Sequence, residues 1–141
     1  MTSKSTDDLF EFIDQNSAEF LNSIDEHKLG STRQLLSEYL YEKMNKYNVV
    51  PHDLVVRTNI SQPHIYQILS GTRGVSREKL IAMAIGIGLD LDETQRLLTL
   101  GQCGTLYPKV RRDAAIICCI NKHMDMYEAN ECLKRINENE L

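Results

Sequence analysis

Residues 51–71, PHDLVVRTNISQPHIYQILSG, have the pattern of two short helices joined by a tight turn. Each helix has a Pro in its first turn, where the missing N–H is not needed. Asn59 is expected to take the left-handed conformation that the turn between the helices demands. The apolar residues predicted to face inward are Leu54, Val55, Ile65 and Ile68. The polar residues predicted to face outward are Gln62, His64 and Gln67.

Helical patterns also precede this pair. Residues 1–30 are predicted to form an acidic helical arm whose last helix ends at Gly30, in the position after a helix where glycine is favoured. A new helix is then expected to begin at a cap provided by Ser31 or Thr32 and to end at Asn48. The arm is interpreted either as packing on its own domain or as a dimerisation or partner-binding element.

Four more helices are predicted after the pair. Ser76 is expected to cap the first, which ends at Gly86 and Gly88, and Asp92 is expected to cap the second, which ends at Gly101. The other two are expected to begin after Pro108 and at Asp125 or Met126, and to run to His123 and Leu141. Because no segment alternates as a strand would, the sequence predicts an all-α protein.

Composition limits the class of protein further. The 141 residues are 42% apolar and 26% charged, which is ordinary for a globular chain of one domain. No apolar run approaches the roughly 20 residues of a membrane span, and the acidic start lacks a signal-peptide core, so a cytoplasmic location is expected. The four cysteines are interpreted as thiols. The spacing of Cys119 and His123 is only a weak sign of a metal site, so no metal or cofactor is predicted.

Charge is distributed unevenly along the chain. The net charge is −4, but residues 1–42 carry nine acids against three bases, whereas residues 43–79 carry six bases against two acids. The remainder carries nine acids against seven bases. The single positive block therefore contains the helix pair at 51–71, which favours an anionic partner for that pair.

Residues 35–98 resemble the Cro/cI-type (XRE) helix-turn-helix DNA-binding domain. The matching motif is DLVVRTNISQPHIYQILSGTRGVSREKLIAMAIGIGLDLDETQRLL. Two positions depart from the family pattern, since Val55 and Asn59 stand where members usually have Ala and Gly. The resemblance implies a five-helix lambda-repressor-like domain over residues 31–101, with the arm at 1–30 and a C-terminal helical extension at 102–141.

The resemblance also implies which side chains touch double-stranded DNA. The helix after Ser61 is the recognition helix, whose first residues enter the major groove. The implied base contacts are Gln62, Pro63, His64 and Gln67, since Gln can pair with adenine and the Pro ring can rest on a thymine methyl. The implied phosphate contacts are Ser61, Tyr66, Thr72, Arg73, Arg57, Lys46 and Arg77, with Lys43 and Lys79 as further candidates.

The function expected from these features is a DNA-binding transcription regulator, and specifically a repressor that binds a palindromic operator as a homodimer. The alternative is an antitoxin or protein-interaction module that binds a partner protein through residues 1–30 or 102–141. The basic cluster at 109–113 is expected to make an intramolecular contact, such as salt bridges with the acidic arm, or a dimer contact, or else to contact DNA. No catalytic motif is present, so an enzyme is not expected.

Overall fold

The computed structural model describes the backbone of residues 17–141 and the side-chain environments of residues 32–141. It is all-helical over the described residues, which confirms the all-α class. Seven helices lie in that part of the chain: α1 (Ser17–Lys46), α2 (Pro51–Arg57), α3 (Gln62–Ser70), α4 (Arg77–Ile87), α5 (Leu91–Leu100), α6 (Arg111–Asn121) and α7 (Met126–Arg135). No helix of the described residues is long and apolar enough to cross a lipid bilayer.

The predicted interruption near Gly30 is wrong, because α1 continues from Ser17 to Lys46 without a break. A single interior Gly costs a helix only about 1 kcal/mol relative to Ala, which flanking helical residues can offset. The helix ends as expected before Asn48, which has a φ of 57°. The N–H of Val49 then donates to the carbonyl of Met44 at 2.8 Å and closes the helix end. The predicted helix at the beginning of the arm lies outside the described residues.

The central helix is α4, in which every residue from Leu80 to Ile87 is buried. A helix that is apolar all round needs neighbours on every side, and α2, α5 and α7 supply them. Ser76 caps it and Gly88 ends it with a φ of 89°, as predicted. Gly86 lies inside the helix, where a Cβ atom would meet Leu54 Cδ2 at 3.2 Å, so glycine lets α2 approach α4 closely.

Hydrogen bonds of Thr58 organise the turn between α2 and α3. Its hydroxyl donates to the carbonyl of Leu54 at 2.6 Å and accepts from the N–H of Ile60 at 3.3 Å. The predicted left-handed conformation of Asn59 is wrong, because Asn59 is not among the described residues with positive φ. The extended backbone of Thr58, with its side chain bonded to both arms of the turn, reverses the chain instead.

The predicted cap at Asp92 is also wrong, because Asp90 is the N-cap of α5. Its carboxylate accepts from the N–H of Glu93 at 2.8 Å, and the Glu93 carboxylate accepts from the N–H of Asp90 at 3.1 Å. This reciprocal pair needs an acidic or amide residue three positions after the cap, which Asp90 has in Glu93. The helix ends at Gly101 as predicted.

The last two helices begin close to their predicted starts but are shorter than predicted. Asp125 caps α7 through a reciprocal pair with Glu128, as expected. The helix ends at Arg135 because Asn137 adopts a φ of 58° and the N–H of Glu138 closes onto the carbonyl of Leu133. Similarly, α6 begins at Arg111 and ends at Asn121, and His123 follows it with a φ of 54°. Residues 33–141 together form one compact unit.

Candidate nucleic-acid interface

The inner face of α3 holds this helix firmly against the core. Ile65, Ile68 and Leu69 are at most 1% exposed. The hydroxyl of Ser37 on α1 also donates to the carbonyl of Leu69. Leu54 on α2 is fully buried as predicted, and Val55 is partly buried against the same core. A helix fixed in this way presents its opposite face in a defined orientation.

The opposite face of α3 is polar and exposed, as the sequence predicts for Gln62 and Gln67. Pro63 is exposed beside them, Tyr66 is 46% exposed, and His64 is half-buried. Ser61 caps the helix as expected, with its hydroxyl accepting from the N–H of His64 at 3.4 Å. The predicted base-contacting side chains therefore lie in the first two turns of α3, with Gln62, Pro63 and Gln67 exposed and His64 half-buried.

The loop after α3 folds back onto Gln67. Arg73 Nη1 donates to Gln67 Oε1 at 3.2 Å, and the hydroxyl of Thr72 donates to the Gln67 carbonyl at 3.3 Å. Gly71, with a φ of 76°, provides the left-handed residue that ends α3 and starts this loop. The Gln67 carboxamide thus has its oxygen bound to Arg73 and its NH₂ group available. Gln67 and Arg73 form one hydrogen-bonded pair on the surface.

Two cations, Arg73 and Lys79, lie near His64. Partial burial lowers the pKa of this imidazole below its ordinary value, and the nearby charges of Arg73 and Lys79 lower it further. Neither Arg73 nor Lys79 forms an ion pair with a carboxylate in the described part of the chain. Arg73 and Lys79 are therefore two cations near the start of α3 that no carboxylate of residues 32–141 pairs with directly.

Three of the predicted phosphate contacts are bound to the protein's own fold. Lys46 Nζ lies 2.8 Å from Glu93 Oε2, and Arg57 Nη1 donates to the carbonyl of Gly86 at 3.0 Å. Arg77 donates to the Asp113 carboxylate and to two backbone carbonyls. These contacts engage the three cations within the fold, whereas Arg73 and Lys79 near His64 have no ion pair within residues 32–141. Phosphate binding by Lys46, Arg57 and Arg77 stays a prediction. The further candidate Lys43 likewise pairs with Glu93, at 3.2 Å.

Glu93 is the centre of the largest cluster of charged groups among these residues. It is 8% exposed and accepts from Lys46, from the hydroxyl of Tyr47 and from the N–H of Asp90. Burial alone would raise the pKa of this carboxyl, but the hydrogen bonds outweigh burial and lower the pKa to about 2. The cluster joins the end of α1 to the start of α5, which makes it a structural element.

The basic cluster at 109–113 pairs with α4. Arg112 donates to both carboxylate oxygens of Glu78, at 2.8 and 2.5 Å, and Asp113 pairs with Arg77. The hydrogen bond to Glu78 raises the pKa of Arg112. Arg112 therefore makes an intramolecular contact, which is one of the kinds expected from the sequence, but its partner lies on α4 and not on the acidic arm.

Sequence reasoning missed one cation near the loop. Arg33 on α1 is exposed, and its guanidinium lies 3.6 Å from where a Cβ atom of Gly74 would be. Its backbone carbonyl is equally close to the Cβ position of Gly71. Because about 40 residues separate Arg33 from this loop, no spacing rule along the chain could have placed them together. Arg33 extends the positive surface beyond Arg73.

The thiols and imidazoles form no comparable cluster. All four cysteines are free, and burial together with Cys132 raises the pKa of the Cys119 thiol to about 11. Among the side chains of residues 32–141, no three His, Cys, Asp or Glu are arranged to hold a metal ion. Comparison with protein-family models, curated proteins and solved structures finds no match for this chain.

Proposed function

We propose that this protein is a sequence-specific DNA-binding transcription regulator that reads the major groove with α3. The observation that carries the proposal is the exposed polar face of α3, which is fixed from behind by buried Ile and Leu side chains. It is flanked by Arg73 and Lys79, which form no ion pair within residues 32–141. Direct readout needs this combination, because hydrogen-bonding groups must meet base edges while cations hold the phosphates. In this proposal α1–α5 correspond to the five helices of a lambda-repressor-like domain.

The roles of the side chains follow from their contacts. Gln62 reads a base directly, whereas Gln67 reads one jointly with Arg73, whose guanidinium already holds the Gln67 oxygen. Pro63 contacts a thymine methyl, and His64 contacts a base or a phosphate. The groups assigned to phosphate are Ser61, Tyr66, Thr72, Arg73, Lys79 and Arg33.

Lys46, Arg57 and Arg77 have a different role in this proposal. Each is satisfied by a carboxylate or carbonyl of the chain itself, so moving to a phosphate would break an existing contact. We assign these three cations primarily to the fold. The number of phosphates neutralised per subunit, and hence the salt dependence of binding, is correspondingly smaller than a count of Lys and Arg suggests.

We further propose that the regulator is a cytoplasmic homodimer and acts as a repressor. Two copies of α3 separated by about 34 Å would meet successive major grooves on one side of the duplex. The dimer would form through residues 1–30 or 102–141. A palindromic operator with half-sites one helical turn apart follows from that arrangement.

Selection from a pool of random duplexes tests the proposal. The protein should enrich one palindromic sequence at a stated salt concentration, and a variant with Gln62→Ala and Gln67→Ala should not. The matched control is Asn121→Ala, which removes an exposed amide at the end of α6 and should enrich the same palindrome as the parent. Equal enrichment by the double variant would exclude α3 as the reading element.

One observation favours the alternative, a module that binds a partner protein. Four of the six bases in the positive block, Lys43, Lys46, Arg57 and Arg77, are engaged within the chain. Less of the basic surface is free than the sequence implies, and Val56 on α2 is 70% exposed. The same selection separates the two functions, because a protein-binding module would enrich no duplex sequence.

A further inference from the structure

A pocket of about 230 Å³ lies where the α2–α3 turn, α4 and the C-terminal segment meet. Its apolar wall consists of Ile60, Ala82 and Met126, each less than a tenth exposed, together with Leu141. Pockets for drug-sized ligands have volumes of roughly 300–1,000 Å³. This pocket therefore suits a smaller molecule with a compact apolar body.

Four polar side chains line the pocket, and two of them, Lys79 and Asn59, have no partner among residues 32–141. Lys79 lines it, and its ammonium group forms no ion pair within the described residues. Asn59 lines it from the turn, and its carboxamide has no hydrogen-bond partner in the same part of the chain. An ammonium group and an amide NH₂ both donate, so together they favour a ligand with a charged acceptor.

The one acidic side chain at the pocket is already neutralised. Glu78 lines it but accepts two hydrogen bonds from the guanidinium of Arg112, so both of its oxygens are engaged. Ser76, the remaining polar residue, uses its hydroxyl to accept from the N–H of Lys79 as the cap of α4. Of the charged side chains that line the pocket, Lys79 is thus the one without an ion pair in residues 32–141.

We propose that this pocket binds a small monocarboxylate with an apolar body, with the carboxylate on Lys79 and Asn59 and the body against Ile60, Ala82 and Met126. Burial of the body supplies the binding energy. The charged hydrogen bonds select an acid over its amide or its amine.

The position of the pocket also makes it a regulatory site, an inference that rests on the proposed function. Lys79 lines the pocket and is also one of the groups assigned to a DNA phosphate, so the two sites share it. The wall residues Asn59 and Ile60 directly precede Ser61, the cap of α3. A carboxylate bound to Lys79 therefore competes with a DNA phosphate, and bound DNA must weaken the ligand by the same factor.

Phenylacetate is a suitable probe, with phenylacetamide and phenethylamine as neutral and cationic counterparts of similar size. In the full-length protein without DNA, titration with phenylacetate should shift the methyl NMR signals of Ile60, Ala82 and Met126 with a dissociation constant of about 1 mM or tighter. Phenylacetamide and phenethylamine should bind at least about tenfold more weakly. Equal binding by the amide, or no methyl shifts with the acid, would overturn the proposal.

Variants locate the binding to this pocket. Lys79→Gln should weaken phenylacetate about tenfold, Lys79→Arg should retain it, and Lys109→Gln is the matched control at an exposed lysine elsewhere. Ala82→Leu fills the pocket and should abolish binding. If Ala82→Leu does not fold, the variants Lys79→Gln and Lys79→Arg test the site without it. Unchanged binding of phenylacetate by Lys79→Gln would then overturn the proposal.

The coupling has its own readout. Saturating phenylacetate should weaken binding to the selected duplex about fivefold or more in the parent, and should have no such effect in Lys79→Gln. Methyl shifts without any selected duplex would leave the pocket standing and remove the proposed DNA function. A selected duplex without methyl shifts would leave the DNA function standing and remove the proposed pocket. Methyl shifts without an effect on duplex binding would overturn the regulatory role.

Discussion

The guanidinium of Arg77 donates to both carboxylate oxygens of Asp113, at 3.3 Å to Oδ1 and 2.8 Å to Oδ2. Asp113 is 5% exposed, and its Oδ2 also accepts from the N–H of Tyr107. Arg77 further donates to the carbonyls of Gly104 and Thr105. One ion pair thereby attaches α6 and the loop before it to the first residue of α4.

This pair predicts that Arg77 is a structural residue. Asp113→Asn and Arg77→Gln should each lower the free energy of unfolding by about 2–3 kcal/mol, because each leaves its partner partly buried and unpaired. Urea denaturation followed by circular dichroism measures both, and the double variant should cost less than the sum of the two. Asp92→Asn, at an exposed carboxylate in the first turn of α5, is the control, with a change within about 0.5 kcal/mol. If Arg77→Gln left stability unchanged and weakened DNA binding tenfold, Arg77 would be a phosphate contact instead.

The Glu93 cluster predicts a specific dependence of stability on pH. The folded-state pKa of Glu93, about 2, lies below its ordinary value of 4.5. Stability from this group is therefore fully present above pH 4.5 and is lost as the pH falls towards 2. Glu93→Gln should lower the free energy of unfolding at pH 7 by about 2–3 kcal/mol and should reduce its slope between pH 4.5 and 2. An unchanged slope in the variant would show that other carboxylates dominate acid unfolding.

Close packing of α2 on α4 predicts the effect of a single methyl group. Gly86→Ala places a Cβ atom 3.2 Å from both Leu54 Cδ2 and Thr58 Cγ2, so these two buried side chains must shift by a few tenths of an ångström. The expected cost is about 1–3 kcal/mol in thermal or urea unfolding. Gly74→Ala is the matched control, because its Cβ atom meets only the end of the Arg33 side chain at 3.6 Å. Equal stability of the two variants would contradict the packing described between these helices.

The loop after α3 predicts an effect on salt dependence. Arg73→Ala and Arg33→Ala should each weaken binding to all duplex sequences and reduce the slope of log affinity against log salt by about 1. Arg111→Gln, which removes an exposed charge at the start of α6, should leave that slope unchanged. Arg73→Ala should in addition relax specificity, because it releases the Gln67 oxygen. A slope unaffected by either loop variant would remove this loop from the interface.

The sequence predicted best the features that depend on neighbouring residues. Pro63, Ser61 and Gly71 define α3 through first-turn, cap and left-handed preferences, and the structure has all three in those positions. The cap of α5 could not be chosen locally, because Asp90 and Asp92 each have an acidic or amide residue three positions later, Glu93 and Gln95. The turn at Thr58 was missed because a side-chain hydrogen bond replaced the expected left-handed residue.

The sequence predicted poorly the features that depend on tertiary contacts. Lys46, Arg57 and Arg77 look like free cations along the chain, but their partners lie 29 to 47 residues away. Likewise, nothing in the spacing of Arg33 connects it to the loop at Gly74. Charge counting therefore identified the positive block but not which of its cations remain available to a partner.

Affinity of the Gln62→Ala, Gln67→Ala double variant for the selected duplex tests the central claim most directly. With the parent and the Asn121→Ala control measured at the same salt concentration, the double variant should lose about 30-fold or more in specific affinity, since each of the two base contacts contributes about 1–3 kcal/mol. Its affinity for unrelated duplex should be unchanged, because phosphate contacts remain. A double variant that binds the selected duplex as tightly as the parent would contradict the assignment of α3 as the reading helix.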